Sequence, residues 1–274
     1  MRRAASEERA EASPEQGEPG AERGGSGGDR MTGILAVLFD LDDTLLAHRA
    51  AVADGLVAYL GELGHPYDAS DAAGEVAAWR ALEEHHYHRY LGGEIGYEQQ
   101  RRDRARDYAA RHGVTLADDE LDGWFAGYFT RYEAAWKLHD DSLACLTELR
   151  RGIPNVKLGI ITNGELDRQL RKIDAMGFGE RFDVIVASGD VGVTKPDARI
   201  FRLACARLGV DPREAAYVGD RLGTDAIGAA GAGLIGVWID RFATPLTDQE
   251  HEAAAEAGVV RITTLAELRD VLVG

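Results

Sequence analysis

Short apolar runs without internal polar residues recur along this chain, at residues 34–39, 157–161, 183–187, 215–218 and 234–239. Each is too short for a buried helix and is bounded by turn-forming or charged residues, so each reads as a strand covered on both faces. Between and after them, 3.6-residue periodicity predicts helices over 141–150, 166–176, 197–208 and 224–230. Gly177 and Gly209 mark two helix ends, and Pro196 is well placed at a helix start. Strands alternating with helices predict an α/β fold of Rossmann type, a parallel sheet with helices on both faces.

Residues 47–139 break this rhythm. They are rich in Arg, Glu and His, and read as four helices at 50–63, 72–91, 97–112 and 118–136, separated by Gly64-His65-Pro66, Gly92-Gly93 and His112-Gly113. The expected organisation is an α/β core of residues 31–46 and 140–274 with a helical module inserted at 47–139. Residues 1–30 hold no aromatic or β-branched residue and are expected to form a disordered tail, with Met31 as an alternative start.

Composition narrows the function. The formal charge of -16 and pI near 4.9 argue against nonspecific binding to nucleic acid or to an anionic membrane, since both need a basic surface. A phosphorylated ligand would have to be drawn in locally, by a metal or a few placed cations. No run approaches the roughly 18 apolar residues of a membrane span. No apolar stretch follows Arg2 and Arg3 as in a secretory signal. A cytoplasmic setting is expected. Cys145 and Cys205 are too few for a disulfide framework and fall in helical segments, as small core residues do. Nothing in the sequence sets an oligomeric state.

Candidate chemistry gathers at the strand ends, where ligands bind in open parallel sheets. The first strand runs into Asp40-Leu41-Asp42-Asp43-Thr44. One of two carboxylates so placed can attack while the other handles protons. The second strand ends in Thr162-Asn163-Gly164, whose hydroxyl and N–H groups can donate to an anionic oxygen. Lys195 stands just before a helix, where a cation works against the dipole. It is one of only four lysines among 31 basic residues. The fourth strand ends in Gly219-Asp220, followed by Asp225. Asp220 is a hard oxygen ligand at a strand end, suited to Mg²⁺.

These four segments, in this order, resemble the haloacid dehalogenase superfamily, over residues 34–44 and 157–239. The segment between the first and second motifs resembles the helical cap of its first subfamily. The resemblance implies a five-stranded parallel sheet with the first motif's strand central. It also implies a phosphatase that uses Mg²⁺ to hydrolyse a small phosphate monoester through an aspartyl-phosphate. Asp40 would be the nucleophile and Asp42 the general acid and base. Asp40, Asp220 and the Asp42 carbonyl would hold the metal. Thr162 and the Asn163 N–H would hold phosphoryl oxygens, Lys195 would neutralise charge, and Asp225 would orient Lys195 or a metal-bound water. Dehalogenases of the superfamily need neither Asp42 nor a metal ligand at Asp220. Phosphomutases often carry Glu where this chain has Gly219. Phosphatase therefore ranks ahead of mutase and 2-haloacid dehalogenase, and a non-catalytic binding protein comes last. The substrate would be a sugar phosphate, a phospho-acid or a nucleoside monophosphate. In the insert, His85-His86-Tyr87-His88-Arg89-Tyr90 stands out. Only His85 and His88 share a helical face for a metal, and an amphipathic helix with polar rings at its rim is the simpler expectation. Arg80, His88 and Arg89 are candidates for binding an anionic or sugar leaving group.

Overall fold

A computed structural model describes residues 33–67 and 69–273. The tail expected at 1–30 lies outside the described residues.

Six parallel strands form one sheet: β1 (Ala36–Phe39), β2 (Lys157–Thr162), β3 (Val184–Ala187), β4 (Ala215–Gly219), β5 (Ile235–Ile239) and β6 (Val260–Ile262), in the order β3-β2-β1-β4-β5-β6. The expected count of five is corrected to six. The extra strand lies at the edge, has three residues and is only partly buried, so it leaves no apolar run to read.

Strand alternation sorts the core onto two faces. Val37 and Phe39 pack with Ile160 and Val218 under two helices, α5 (Ser142–Gly152) and α11 (Leu268–Val273), which contribute Leu146, Leu149, Leu268 and Leu272. Ala36 and Leu38 face the other way. They pack with Tyr217 against Ile200, Phe201 and Ala204 of α8 (Ala198–Leu208). Cys145 and Cys205 are free and buried, one on each face. Burial pushes their thiols up to about 12 and about 11. The order of connections reverses between β1 and β4, and the C-terminal mouths of these neighbours are where a ligand site is expected.

Between β1 and β2 lie α1 (His48–Leu63), α2 (Ala72–Leu91), α3 (Tyr97–Arg111) and α4 (Leu121–Ala134). They have a hydrophobic cluster of their own, dominated by Trp79, Tyr108, Trp124, Phe125 and Tyr128. Among the described residues no helix is long and apolar enough to cross a membrane.

Candidate active site

Asp40 leaves β1 with its N–H bonded to the Val218 carbonyl of β4 at 2.8 Å. Its carboxylate is nearly buried and accepts from Lys195 Nζ at 2.6 Å. That ammonium also donates to Tyr217 Oη at 2.7 Å and to Asp225 Oδ1 at 2.8 Å. The Tyr217 hydroxyl donates to the Ile161 carbonyl at 2.9 Å, so every polar atom in this knot is oriented. Lys195 is further fixed through its backbone. Its N–H donates to Asn163 Oδ1 at 2.9 Å, and Asn163 Nδ2 donates to its carbonyl at 3.2 Å. The Asn163 side chain thus clasps the second motif to the third, a role the resemblance does not assign. Thr162 ends β2 beside it, buried, with a hydroxyl that makes no hydrogen bond among the described residues.

Asp225 reaches Lys195 because the chain after β4 winds as a π-helix (Leu222–Ile227), continued by α9 (Gly228–Ala232). Sequence periodicity predicted an ordinary helix over 224–230. Two glycines permit the wider turn. A Cβ on Gly219 would lie 2.4 Å from the Asp225 Cβ, and one on Gly236 would lie 2.1 Å from the Ala226 carbonyl oxygen. Asp225 Oδ2 also accepts from the Arg221 N–H at 3.0 Å.

The Asp220 carboxylate makes no hydrogen bond or ion pair among the described residues. One oxygen each from Asp40, Asp220 and Asp225 lie within 4.8 Å of one another. Burial, then the Asp40 and Asp225 charges, push Asp220 well above its ordinary range. Burial raises Asp40 to about 7 against the pull of Lys195. A buried set of hard carboxylate oxygens that repel one another fits a divalent cation such as Mg²⁺, which would offset that repulsion.

Asp42 faces elsewhere. Both of its oxygens accept from Lys172 Nζ at 2.7 Å. Lys172 lies on α6 (Leu166–Ala175), which follows the second motif. Burial alone would raise Asp42, but Lys172 and then His48 hold it below its ordinary value. His48 Nδ1 is 3.8 Å from Asp42 and 2.9 Å from the Tyr132 hydroxyl, and its Nε2 is 3.6 Å from Glu83. Sequence reasoning did not find Lys172. The scarcity of lysine that singled out Lys195 applies equally to it.

These groups line a cavity of about 1180 Å³ between the strand ends and the inserted helices. Arg80, Tyr87 and His88 of α2 reach it. Arg89 does not, and this corrects the expectation for that residue. It points toward α3 and is tied to Glu94 at 3.2 Å and Asp103 at 3.5 Å. In the same stretch His86 is buried against Asp107 at 2.8 Å, and His88 pairs with Glu84 at 2.7 Å. The insert and the strand ends touch directly. Arg221 pairs with Glu84 through two bonds of 2.9 Å, and the Tyr87 hydroxyl donates to the Asn163 carbonyl at 3.2 Å.

The family model for haloacid dehalogenase-like hydrolases matches residues 34–233. The chain belongs to this family. It is 30% identical to N-acylneuraminate-9-phosphatase of Rattus norvegicus, over 88% of this chain and 96% of that one. It is 39% identical to the phosphoserine phosphatase of Thermus thermophilus over 51% of this chain and 55% of that one, so the match spans about half of that relative. Among solved structures it resembles the putative HAD-hydrolase YfnB from Bacillus subtilis, bound to magnesium. The TM-score is 0.69 at 22% identity, covering 86% of this chain and 97% of the other, a likeness of fold.

Proposed function

We propose that the protein is a Mg²⁺-dependent phosphatase acting on a small phosphorylated metabolite, with Asp40 as nucleophile. The buried Asp40–Lys195 pair carries the proposal: a carboxylate held by an ammonium at 2.6 Å, beside two further carboxylates and a free Thr162 hydroxyl. Phosphoryl transfer to a carboxylate brings anions together, and oriented cations and donors offset the repulsion.

An Asp40 oxygen attacks phosphorus, and the bond to the leaving oxygen breaks, its electron pair going to that oxygen. Asp42 delivers a proton there, which requires the carboxyl to be protonated and freed from Lys172 as substrate binds. Asp42, ionised again beside Lys172, then takes a proton from water, whose oxygen attacks the aspartyl-phosphate. The bond between phosphorus and the Asp40 oxygen breaks and orthophosphate leaves. Thr162, the Asn163 N–H and Lys195 hold the phosphoryl oxygens throughout. A bound Mg²⁺, held by Asp40, Asp220 and the Asp42 carbonyl, would supply further charge neutralisation, with Asp225 orienting Lys195.

The proposal extends to organisation. Residues 47–139 act as a cap that excludes water over a core of 31–46 and 140–274, and the two buried free cysteines accord with a cytoplasmic setting. The phosphatase names of the relatives support the reaction class. Gly219 counts against a mutase, since a side chain there would displace Asp225. The test is turnover of p-nitrophenyl phosphate with Mg²⁺ by the full chain and by Asp40→Asn. Loss in the variant with unchanged circular dichroism is expected. Near-normal turnover in Asp40→Asn, or chloride release from 2-haloacids in its place, would overturn the proposal.

A further inference from the structure

The four helices of the insert converge on one imidazole beside Asp42. His48 is the first residue of α1. Its Nδ1 lies 3.8 Å from Asp42 Oδ1 and 2.9 Å from the Tyr132 hydroxyl of α4. Its Nε2 lies 3.6 Å from Glu83 of α2, and the other oxygen of Glu83 accepts from Arg104 of α3 at 2.8 Å. Arg104 is itself buried, with its guanidinium 4.6 Å from the Trp79 ring centre. Burial would raise Glu83, but Arg104 and then His48 hold it well below the ordinary carboxylate range. Glu83 is thus a fixed negative charge behind the ring.

Position along the chain matters as much. The two crossings between core and insert are bonded to each other, the Ala47 N–H to the Lys137 carbonyl and the His139 N–H to the Leu45 carbonyl, both at 2.9 Å. Asp42 lies on the core side of that joint and His48 just past it. The 3.8 Å gap between them is therefore set by where the insert sits, with Glu83, Arg104 and Tyr132 carrying its position to the ring.

The two partners of Asp42 suit different states of its carboxyl. Lys172 takes both oxygens at 2.7 Å, a grip that favours the carboxylate. His48 faces Oδ1 alone. A protonated carboxyl can accept from one ring N–H through one oxygen and keep the O–H on its other oxygen for the leaving group. The gap exceeds ordinary N–H···O length by about 0.6 Å, so little movement closes it. We infer that His48 and Glu83 are positioning residues for proton delivery: Glu83 holds the ring, and the ring seats Asp42 once it has left Lys172. The inference rests on the phosphatase proposal and deepens it, by giving the insert a part in the acid step.

A series of aryl phosphates tests it, with the full chain and Mg²⁺: p-nitrophenyl, p-chlorophenyl and phenyl phosphate, whose leaving oxygens are increasingly basic. Phenoxide needs the acid most and p-nitrophenoxide least. kcat/KM extends only to the first phosphoryl transfer, so the later role of Asp42 toward water does not enter. The ratio of kcat/KM for p-nitrophenyl over phenyl phosphate should rise about a hundredfold in Asp42→Asn and roughly tenfold in Glu83→Gln and His48→Asn, since a positioned acid contributes about 10² to 10⁴. An equal loss on all three esters would make both residues merely structural, and an unchanged ratio would detach Asp42 from them; either result overturns the inference. Glu83→Gln strands the Arg104 charge, so His48→Asn, on the cavity wall, decides alone if a melting scan shows the first variant unfolded. A ratio unmoved in Asp42→Asn itself would remove that residue as the acid and this inference with it, while the loss of turnover expected in Asp40→Asn would still stand for the phosphatase.

Discussion

Replacing Asp141 by Asn should destabilise the fold by an amount the structure sets. Asp141 precedes α5 and gathers four donors. Arg241 gives it two bonds of 2.9 and 2.8 Å, the Thr264 hydroxyl one of 2.7 Å, and the Leu265 N–H one of 2.9 Å. Burial by itself would raise the carboxyl, yet these partners hold it at about 2, below the ordinary 3.8. A carboxyl held that far down contributes about 2.5 kcal/mol at neutral pH. Asn keeps the shape and an acceptor but leaves Arg241, 11% exposed, without its counter-charge. Tm should fall by roughly 5–10 °C for a domain of this size. The sign with pH follows from a folded pKa that is depressed. The stabilisation is complete above the unfolded value of 3.8 and is lost as pH falls toward about 2. Denaturant titrations of both proteins should give curves separated by about 2.5 kcal/mol at pH 7 and by about half of that near pH 3. A Tm within a degree of the parent, or a gap indifferent to pH between 7 and 3, would refute the reasoning. Arg241 also donates to the Thr44 carbonyl at 2.9 Å. The same substitution should therefore loosen the first motif and lower turnover several-fold.

Lys195→Met removes the ammonium shared by Asp40, Tyr217 and Asp225; kcat for an aryl phosphate should drop by about 10² to 10³, and a loss under threefold would remove Lys195 from the chemistry. Lys172→Met should lower kcat more than it raises KM, because Lys172 keeps Asp42 ionised for the step that takes a proton from water and makes no substrate contact, and a pure KM effect in steady-state kinetics would reassign it to binding. Gly219→Glu should displace Asp225 and lower both Tm and kcat; retention of parental values in a melting scan and a phosphate-release assay would show that the π-helical turn can yield. Excess chelator should silence hydrolysis and lower Tm, with both restored by Mg²⁺, and a metal-independent rate would exclude a cation bridging Asp40 and Asp220.

The strand ends were legible because each motif joins a buried apolar run to a polar turn, and both halves of that signal are local. Asp40, Thr162, Lys195, Asp220 and Asp225 meet because parallel strands bring such ends together. What was illegible depends on orientation or distance. Lys172 and Asp42 are 130 residues apart, and nothing local links a mid-helix lysine to a strand-end carboxylate. Arg89 lies about 100° around α2 from His88. Periodicity finds the helix but does not say which side faces the cavity and which faces α3. The π-helix has the composition of an α-helix. Only the close approaches of Gly219 to Asp225 and of Gly236 to Ala226 mark it. β6 has too few residues to register as a pattern.

The clasp between Asn163 and Lys195 bears on how the protein ages. Asn163-Gly164 is the chain's single Asn-Gly step, the sequence most open to deamidation. In that reaction the glycine nitrogen attacks the side-chain carbon and ammonia departs. In the folded chain both reactants are held. The Gly164 N–H donates to Ser188 Oγ at 2.9 Å, and the Asn163 amide is fixed at both ends by the Lys195 backbone. Deamidation should therefore proceed only through openings of the second motif, and its rate, followed by intact mass on storage, becomes a clock for how often the active site comes apart. Each event would leave a carboxylate facing the Lys195 carbonyl, where Nδ2 now donates at 3.2 Å. Old protein should lose turnover in step with its deamidated fraction while still melting as one cooperative unit.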